Sequence, residues 1–251
     1  MSKDERPGEG TQMTDRTSYE RSLERSRAAA SRPDRPDTFT MAGHEWDLLG
    51  DVFAPPYSAT TETAMEVLGL TGEGPPLLPA GGSFLEVGSG TGIIAVMAAL
   101  RGAGRVVATD INTYAVENTR RNAVRHRVED RLTAVHSDLF AALDRGDRFD
   151  CVYWHSNFVL APDEYRYRTD HERAYVDPGY RAHQRYLVEA PLRVTDGGAA
   201  LLQFSDRGDL DRLTDLATTH GRVLKVLDRR AFLEGAETLE HILLEIRPSS
   251  V

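Results

Sequence analysis

The sequence predicts an α/β domain in which a mostly parallel sheet carries helices on both faces. Three observations predict it. From residue 39 onward, short β-branched runs alternate with helix-forming stretches. An apolar run (Phe84, Leu85, Val87) leads into glycines at alternate positions, Gly88, Gly90 and Gly92, and a helix-forming stretch, 93–100, follows at once. A second β-branched run, 105–110 (RVVATD), ends in an acid 18 residues after Gly92, enough chain for one helix and one strand.

The elements follow in order. Residues 1–37 carry eight basic and eight acidic side chains but one Leu, one Tyr and no Val or Ile. Such a segment buries too little apolar surface to offset its ordering entropy, so 1–38 is expected to be a disordered charged tail. Within it, Thr17-x-x-Glu20 resembles a capping box, and Tyr19 and Leu23 make 17–30 a thin helix candidate. Residues 39–82 are expected to form an N-terminal helical cap and linker. There 58–68 reads as a helix with Ala64, Met65, Val67 and Leu68 inward, and 75–82 (PPLLPAGG) as the linker. The domain proper is 83–251. Strands are expected at 83–87, 105–109, 132–136, 149–154, 199–205, 223–228 and 239–246, the last two forming an antiparallel edge. Helices are expected at 92–101, 113–126, 139–144, 178–193 and 208–219.

A chain of 251 residues suits one α/β domain with additions. The tail is neutral, so the net charge of −9 lies entirely in the body. An acidic body argues against a broad phosphate-binding surface, and nucleic acid is not expected as a partner. The start MSKDERPGEG lacks the apolar core of a signal peptide, and no later run reaches spanning length. No membrane partner and a cytoplasmic location are the expectations. The one cysteine, Cys151, sits in an apolar strand and excludes an internal disulfide or a cysteine cluster. His44, His171, His183, His220 and His241 show no ligand spacing, so no metal is expected. The oligomeric state is not legible.

A strand, a glycine turn and a helix together let backbone amides approach a nucleotide. The dinucleotide fingerprint G-x-G-x-x-G would need glycine at position 93, where Ile93 stands. With Glu86 at the strand end, the pattern acidic-x-Gly-x-Gly-x-Gly resembles motif I of class I S-adenosylmethionine (SAM)-dependent methyltransferases. The resemblance implies a Rossmann-like seven-stranded sheet, mostly parallel with one antiparallel strand, and SAM as the cofactor. It assigns the cofactor cradle to Glu86, Gly88, Ser89, Gly90 and Gly92. Asp110 takes the ribose hydroxyls, as its place in a βαβ unit also suggests. Ile111 packs on the adenine, Asp138 binds the adenine amino group, and Leu139 and Trp154 complete the cofactor set. Read from the residues alone, Asp138 is equally the N-cap of a helix over 139–143.

Ligands of open α/β sheets bind beyond the carboxyl ends of the strands, so the end of the fourth strand is where an acceptor belongs. The chain reads FDCVYWHSNF over 149–158. This segment, with VFAPPYSATTE at 52–62, resembles the release-factor glutamine methyltransferase branch, which carries Asn-Pro-Pro-Tyr there. In this chain His155, Ser156, Asn157 and Phe158 take those places. The departure removes the signature for glutamine, adenine or guanine acceptors. Methyl transfer needs a lone pair held near the methyl group, a water-poor site and sometimes a proton acceptor. His155 is the candidate base near neutral pH and Asn157 the candidate orienting amide. Each has an ordinary alternative, as a satisfied strand-end histidine and as a turn residue. Tyr57, Phe158 and Tyr175 are expected to line the acceptor pocket.

Seven of the chain's 19 aromatics fall between Tyr153 and Tyr180, and five acids with three arginines fall between Asp163 and Asp177. Aromatic faces beside carboxylates suit an amino-bearing or cationic small molecule; equally, the acids and arginines pair with each other on a surface lid. The 161–178 loop is expected to be mobile without ligand. The leading expectation is therefore a SAM-dependent methyltransferase acting on nitrogen of a small molecule, an amino acid or natural-product intermediate. Three alternatives stay open: a protein side-chain methyltransferase, a SAM-binding regulator without chemistry, and an NAD-dependent oxidoreductase. Ile93 and the lack of a hydride-transfer set weigh against the last.

Overall fold

The computed structural model describes residues 18–72, 77–234 and 237–249. Its elements begin with α1 (Tyr19–Ser31), β1 (Thr38–Met41), β2 (His44–Asp47) and α2 (Thr60–Val67). The central unit follows as β3 (Ser83–Val87), α3 (Ile93–Leu100), β4 (Arg105–Asp110), α4 (Thr113–Arg125), β5 (Leu132–His136) and β6 (Phe149–His155). After it come two short strands, β7 (Leu160–Ala161) and β8 (Asp177–Pro178), then α5 (Arg181–Glu189) and β9 (Val194–Ser205). The last elements are α6 (Leu210–Thr219), β10 (Arg222–Glu234) and β11 (Glu237–Pro248).

Seven strands form one sheet in the order β10-β11-β9-β6-β3-β4-β5. β3 pairs in parallel with β4 on one side and β6 on the other, β4 with β5, and β6 with β9. Only β11 runs against its neighbours, β9 and β10. The expected fold class is therefore the observed one. Chain order reverses at β3, and the crevice beyond its carboxyl end, between β4 and β6, is the place such a sheet offers a ligand.

Alternation along each strand builds two cores. On one face Phe84, Cys151, Tyr153, Leu201 and Leu243 pack under α2 and α3. On the other, Leu85, Val152, Trp154, Leu202 and Phe204 pack under α5 and α6. β3 is buried on both faces, which is why it reads as a continuous apolar run.

Three local expectations fail for identifiable reasons. Residues 139–144 form turns, not a helix. Leu139 is held at φ +52, and the Ser137 hydroxyl accepts from the Ala142 amide at 3.0 Å. Asp138 therefore caps nothing and pairs with Arg185 at 2.7 Å. The helix expected over 178–193 begins only at Arg181, because Asp177 and Pro178 are drawn into pairing with β7. The Asp177 carboxylate still accepts the Ala182 and His183 amides of the helix start.

The region 39–82 is not wholly helical. It opens with the β1–β2 hairpin, which seats Trp46, fully buried, with its indole N–H on the Met41 carbonyl at 3.0 Å.

The expected tail is ordered from Ser18 onward. α1 is capped by Ser18, which accepts from the Arg21 amide at 3.4 Å. It falls where the thin helix candidate 17–30 was read; its buried face, Ser22, Leu23, Ser26 and Ala29, is small and half polar, so composition did not show that it packs. Residues 1–17, including Thr17 of the expected capping box, lie outside the described residues.

Candidate active site

The turn after β3 is built by backbone. The Gly88 and Ser89 amides donate to the Thr109 carbonyl of β4 at 2.7 and 3.0 Å, fastening the turn to the neighbouring strand. Gly92 sits at φ +79, and a Cβ there would lie 2.8 Å from Thr119 of α4, so only glycine lets the two helices approach. Gly90, at φ +55, differs. A Cβ there would meet nothing within 4 Å, because Gly90 faces an open cavity of about 440 Å³.

Two carboxylates hold this turn. Glu86 is buried, and its Oε2 accepts the Ala95 amide at 2.9 Å, satisfying one of the free N–H groups of the first turn of α3. Burial, aided by Asp110, holds its pKa well above the usual carboxylate range. Asp110, at the end of β4, accepts the Gly90 amide on Oδ2 at 2.9 Å and the Asn112 amide on Oδ1 at 2.8 Å. Burial raises its pKa, opposed by these backbone donors. Each oxygen keeps a second lone pair for a ligand hydroxyl.

All ten residues of the expected cofactor set except Gly92 line this one cavity. Gly92 serves the packing of α3 on α4 instead. Asn112 was missed. It caps α4 by accepting from the Tyr114 amide at 2.9 Å, and it donates to the Asp51 carbonyl at 2.6 Å. An Asn two residues after a strand-end acid was the available signal.

The expected acceptor residues converge on the same cavity. His155, Asn157, Phe158, Tyr57 and Tyr175 all line it. His155 is half-buried, and burial pushes its pKa down to about 4. Burial therefore holds the ring uncharged at neutral pH. The Asn157 side chain is locked by its Nδ2, which donates to the Arg173 and Val176 carbonyls, both at 2.8 Å. Its Oδ1 is buried without a hydrogen-bond partner. Tyr175 packs against Phe53 and His171, and the Arg32 guanidinium lies over the Tyr57 ring at 4.6 Å.

The acids of the 161–178 loop do not form a wall for a cation. Glu172 is buried and accepts from the Tyr165 hydroxyl at 2.8 Å and the Arg168 amide at 2.7 Å. Asp177 pairs with His183 at 2.7 Å, and Asp170 with Arg173 at 3.0 Å. The loop is knitted by the β7–β8 pair and a 3-10 turn, Asp170–Ala174. α1 docks on that turn, with Ser26 Oγ 2.7 Å from His171 Nδ1 and the Ser22 hydroxyl donating to the Tyr175 carbonyl at 3.1 Å. Ser22, Arg25 and Ala29 of α1 line the cavity, so the chain's N-terminal helix belongs to the site. Among the described residues, no group of three or more His, Cys, Asp or Glu side chains is arranged for a metal ion, and no helix is long and apolar enough to cross a membrane.

Residues 58–153 match the family model described as Ribosomal protein L11 methyltransferase (PrmA). The matched stretch holds the glycine turn, Glu86 and Asp110, so the likeness to a methyltransferase domain falls on the cofactor side of the cavity. The chain is 34% identical over 90 residues to ribosomal protein L11 methyltransferase of Carboxydothermus hydrogenoformans, covering 36% of this chain and 28% of that protein. It is 32% identical over 165 residues to release factor glutamine methyltransferase of Chlorobaculum tepidum, covering 61% of this chain and 55% of that protein. It thus spans about half or less of the length of these two relatives. A methyltransferase structure from Pyrococcus furiosus shares the fold, with a TM-score of 0.54 at 18% identity over 90% of this chain and 96% of that one. Both curated relatives are named for protein acceptors, which overturns the expectation of a small-molecule acceptor.

Proposed function

We propose that this protein transfers a methyl group from SAM to a nitrogen on a protein side chain. The observation that carries the reading is one cavity in which the Gly90–Asp110 cradle meets Asn157, a locked amide whose carbonyl oxygen has no partner. A buried acceptor atom left unpaired is costly, and an N–H of the methyl acceptor satisfies it. The departure from Asn-Pro-Pro-Tyr is then a displacement, with the orienting amide two residues later at Asn157.

The cofactor region is 83–251. There Gly88 to Gly90 admit the ligand closely, Asp110 holds the ribose, and Ile111, Leu139 and Trp154 face the adenine, with Asp138 at the rim. When bound, SAM supplies a methyl group on a sulfonium. The chain's own residues do the rest. Asn157 orients the acceptor nitrogen, and uncharged His155 offers a ring lone pair or N–H beside it. Phe158, Tyr57 and Tyr175, roofed by α1, keep water from the nucleophile. The acceptors for which the relatives are named, ribosomal protein L11 and a release-factor glutamine, support a protein substrate.

The test is incubation with methyl-labelled SAM and each of those two proteins, followed by mass spectrometry of the labelled chain. Label on a side-chain nitrogen is the expected result. SAM binding without transfer to either protein, nor to protein in an extract, contradicts the reading.

A further inference from the structure

Behind His155, one layer away from the cavity, lies a cluster that the reading above does not use. β6 pairs with β9 so that His155 meets Gln203, and β9 pairs with β11 so that Gln203 meets Leu243 and Ser205 meets His241. Alternation therefore puts Tyr153, His155, Gln203 and His241 on one face of the sheet, with Leu201 and Leu243 of the core under α2 and α3. The His155 and His241 rings stand edge to face with centroids 5.7 Å apart. Phe232 at 4.6 Å and Phe158 at 6.1 Å close off His241 from the outside. Gln203 and His241 are fully buried, yet both atoms of the Gln203 amide and both ring nitrogens of His241 have no hydrogen-bond partner.

Four unpaired polar atoms on two adjacent strands, β9 and β11, are a heavy penalty for an apolar core to carry. A carboxamide has one donor end and one acceptor end, and an uncharged imidazole has one of each. Gln203 stands between the two histidines in strand order, so its amide is the group able to join them.

We propose that Gln203 and His241 are positioning residues for His155. By turning about its side-chain bonds, the Gln203 amide, without a partner as it stands, bridges the two imidazoles across β6, β9 and β11 and fixes which His155 nitrogen carries the proton. The opposite nitrogen is then always presented to the cavity in the same state. The charged and titratable groups facing this row are Arg207 after β9, Tyr153 on β6 and Glu86 on β3, while Glu66 on α2 turns outward to Arg230 at 3.9 Å. Glu86 is itself held above the usual carboxylate range by burial, so no nearby acid calls for a charged His155. The proposal rests on the reading that the acceptor enters beside His155, but its first measurement does not.

That measurement is the tautomer of His155, read from its side-chain carbon and nitrogen chemical shifts and assigned by loss of the signal in His155→Asn. The wild type is expected to show a single tautomer, and Gln203→Met and His241→Phe a mixture. His241→Gln, which keeps a donor and an acceptor, is expected to restore the single form. In Gln203→Met, turnover should fall by about ten-fold or more with SAM affinity unchanged, as for a misoriented group. A tautomer mixture in the wild type, or a single tautomer surviving in both Gln203→Met and His241→Phe, overturns the proposal, including the case in which enclosed water satisfies the cluster. A tautomer mixture in the wild type overturns the proposal by itself, and where Gln203→Met does not fold, His241→Phe and its rescue by His241→Gln carry the test. A wild type without transferase activity that shows a single, Gln203-dependent tautomer would refute the functional reading and leave the link standing.

Discussion

The Asp110 carboxylate accepts the amide of Gly90 at 2.9 Å, across a gap of 20 residues in the chain. The end of β4 therefore holds the tip of the glycine turn in place before any ligand arrives. An acid that sequence assigns to ribose binding thus has a second task, as a brace for the loop that would cradle the cofactor.

Asp110→Ala removes both tasks. The SAM dissociation constant should rise by about ten-fold or more, since hydrogen bonds to a charged group contribute roughly 1.5–3 kcal/mol. The fold should persist with a lowered melting temperature, because the Gly90 and Asn112 amides lose their acceptor. Titration calorimetry on the folded variant checks this; unchanged affinity would mean that the ribose lies elsewhere.

Gly90→Val should abolish cofactor binding while the protein still folds. The new side chain enters open cavity space rather than packed protein. Its φ of +55 adds strain of about 1–2 kcal/mol. Retained SAM binding with a native circular dichroism spectrum would show that the turn faces away from the ligand.

His155 carries a pH signature. Its pKa is pushed down to about 4 in the folded protein from an ordinary 6.5. Between those values the unfolded chain binds the extra proton and the folded one does not, so stability falls as pH drops from about 6.5 towards 4. The loss from this group is at most ~3 kcal/mol, and His155→Asn should flatten that part of the curve. Turnover between pH 6 and 8 should show no step from His155. Denaturant melts across this range are the check, and a neutral-pH step that vanishes in His155→Asn would contradict the burial argument.

Ser26→Ala tests the roof. Its hydroxyl meets His171 in a buried contact at 2.7 Å, and leaving the imidazole unpaired should cost about 1–3 kcal/mol. Hydrogen exchange should quicken across α1 and 170–174, and S-adenosylhomocysteine should leave faster. Unaltered exchange there would make α1 a passive appendage.

The central unit was legible because its signals are local. An apolar run, a glycine turn, a helix and a strand-end acid stand consecutively, and β3, α3 and β4 form where they were read. What was illegible depends on tertiary contact. Leu139 is forced to a positive φ, which turns 139–144 away from helix. The β1–β2 strands are four residues each and gain their stability by burying Trp46 in the main core. α1 was legible as a thin helix candidate, but its packing was not, because beside Leu23 it buries two serines and one alanine. Of the two readings open for the acids of the 161–178 loop, pairing within the loop is the one the fold adopts, and only the particular partners, Tyr165, His183 and Arg173, were illegible. Asn157 was legible as a candidate, but the two carbonyls that lock it, those of Arg173 and Val176, come from a loop whose path only the fold decides.

The most direct test is the kinetics of Asn157→Leu against the wild type with labelled SAM and a protein acceptor. Leucine keeps the volume and removes the carbonyl oxygen that lacks a partner, together with the Nδ2 donor to the Arg173 and Val176 carbonyls, so hydrogen exchange across 170–177 is read alongside to show that the loop holds. The account predicts that SAM affinity is unchanged and turnover falls by about 10- to 100-fold, the worth of one hydrogen bond to a buried acceptor. Wild-type turnover in a folded Asn157→Leu protein would contradict it.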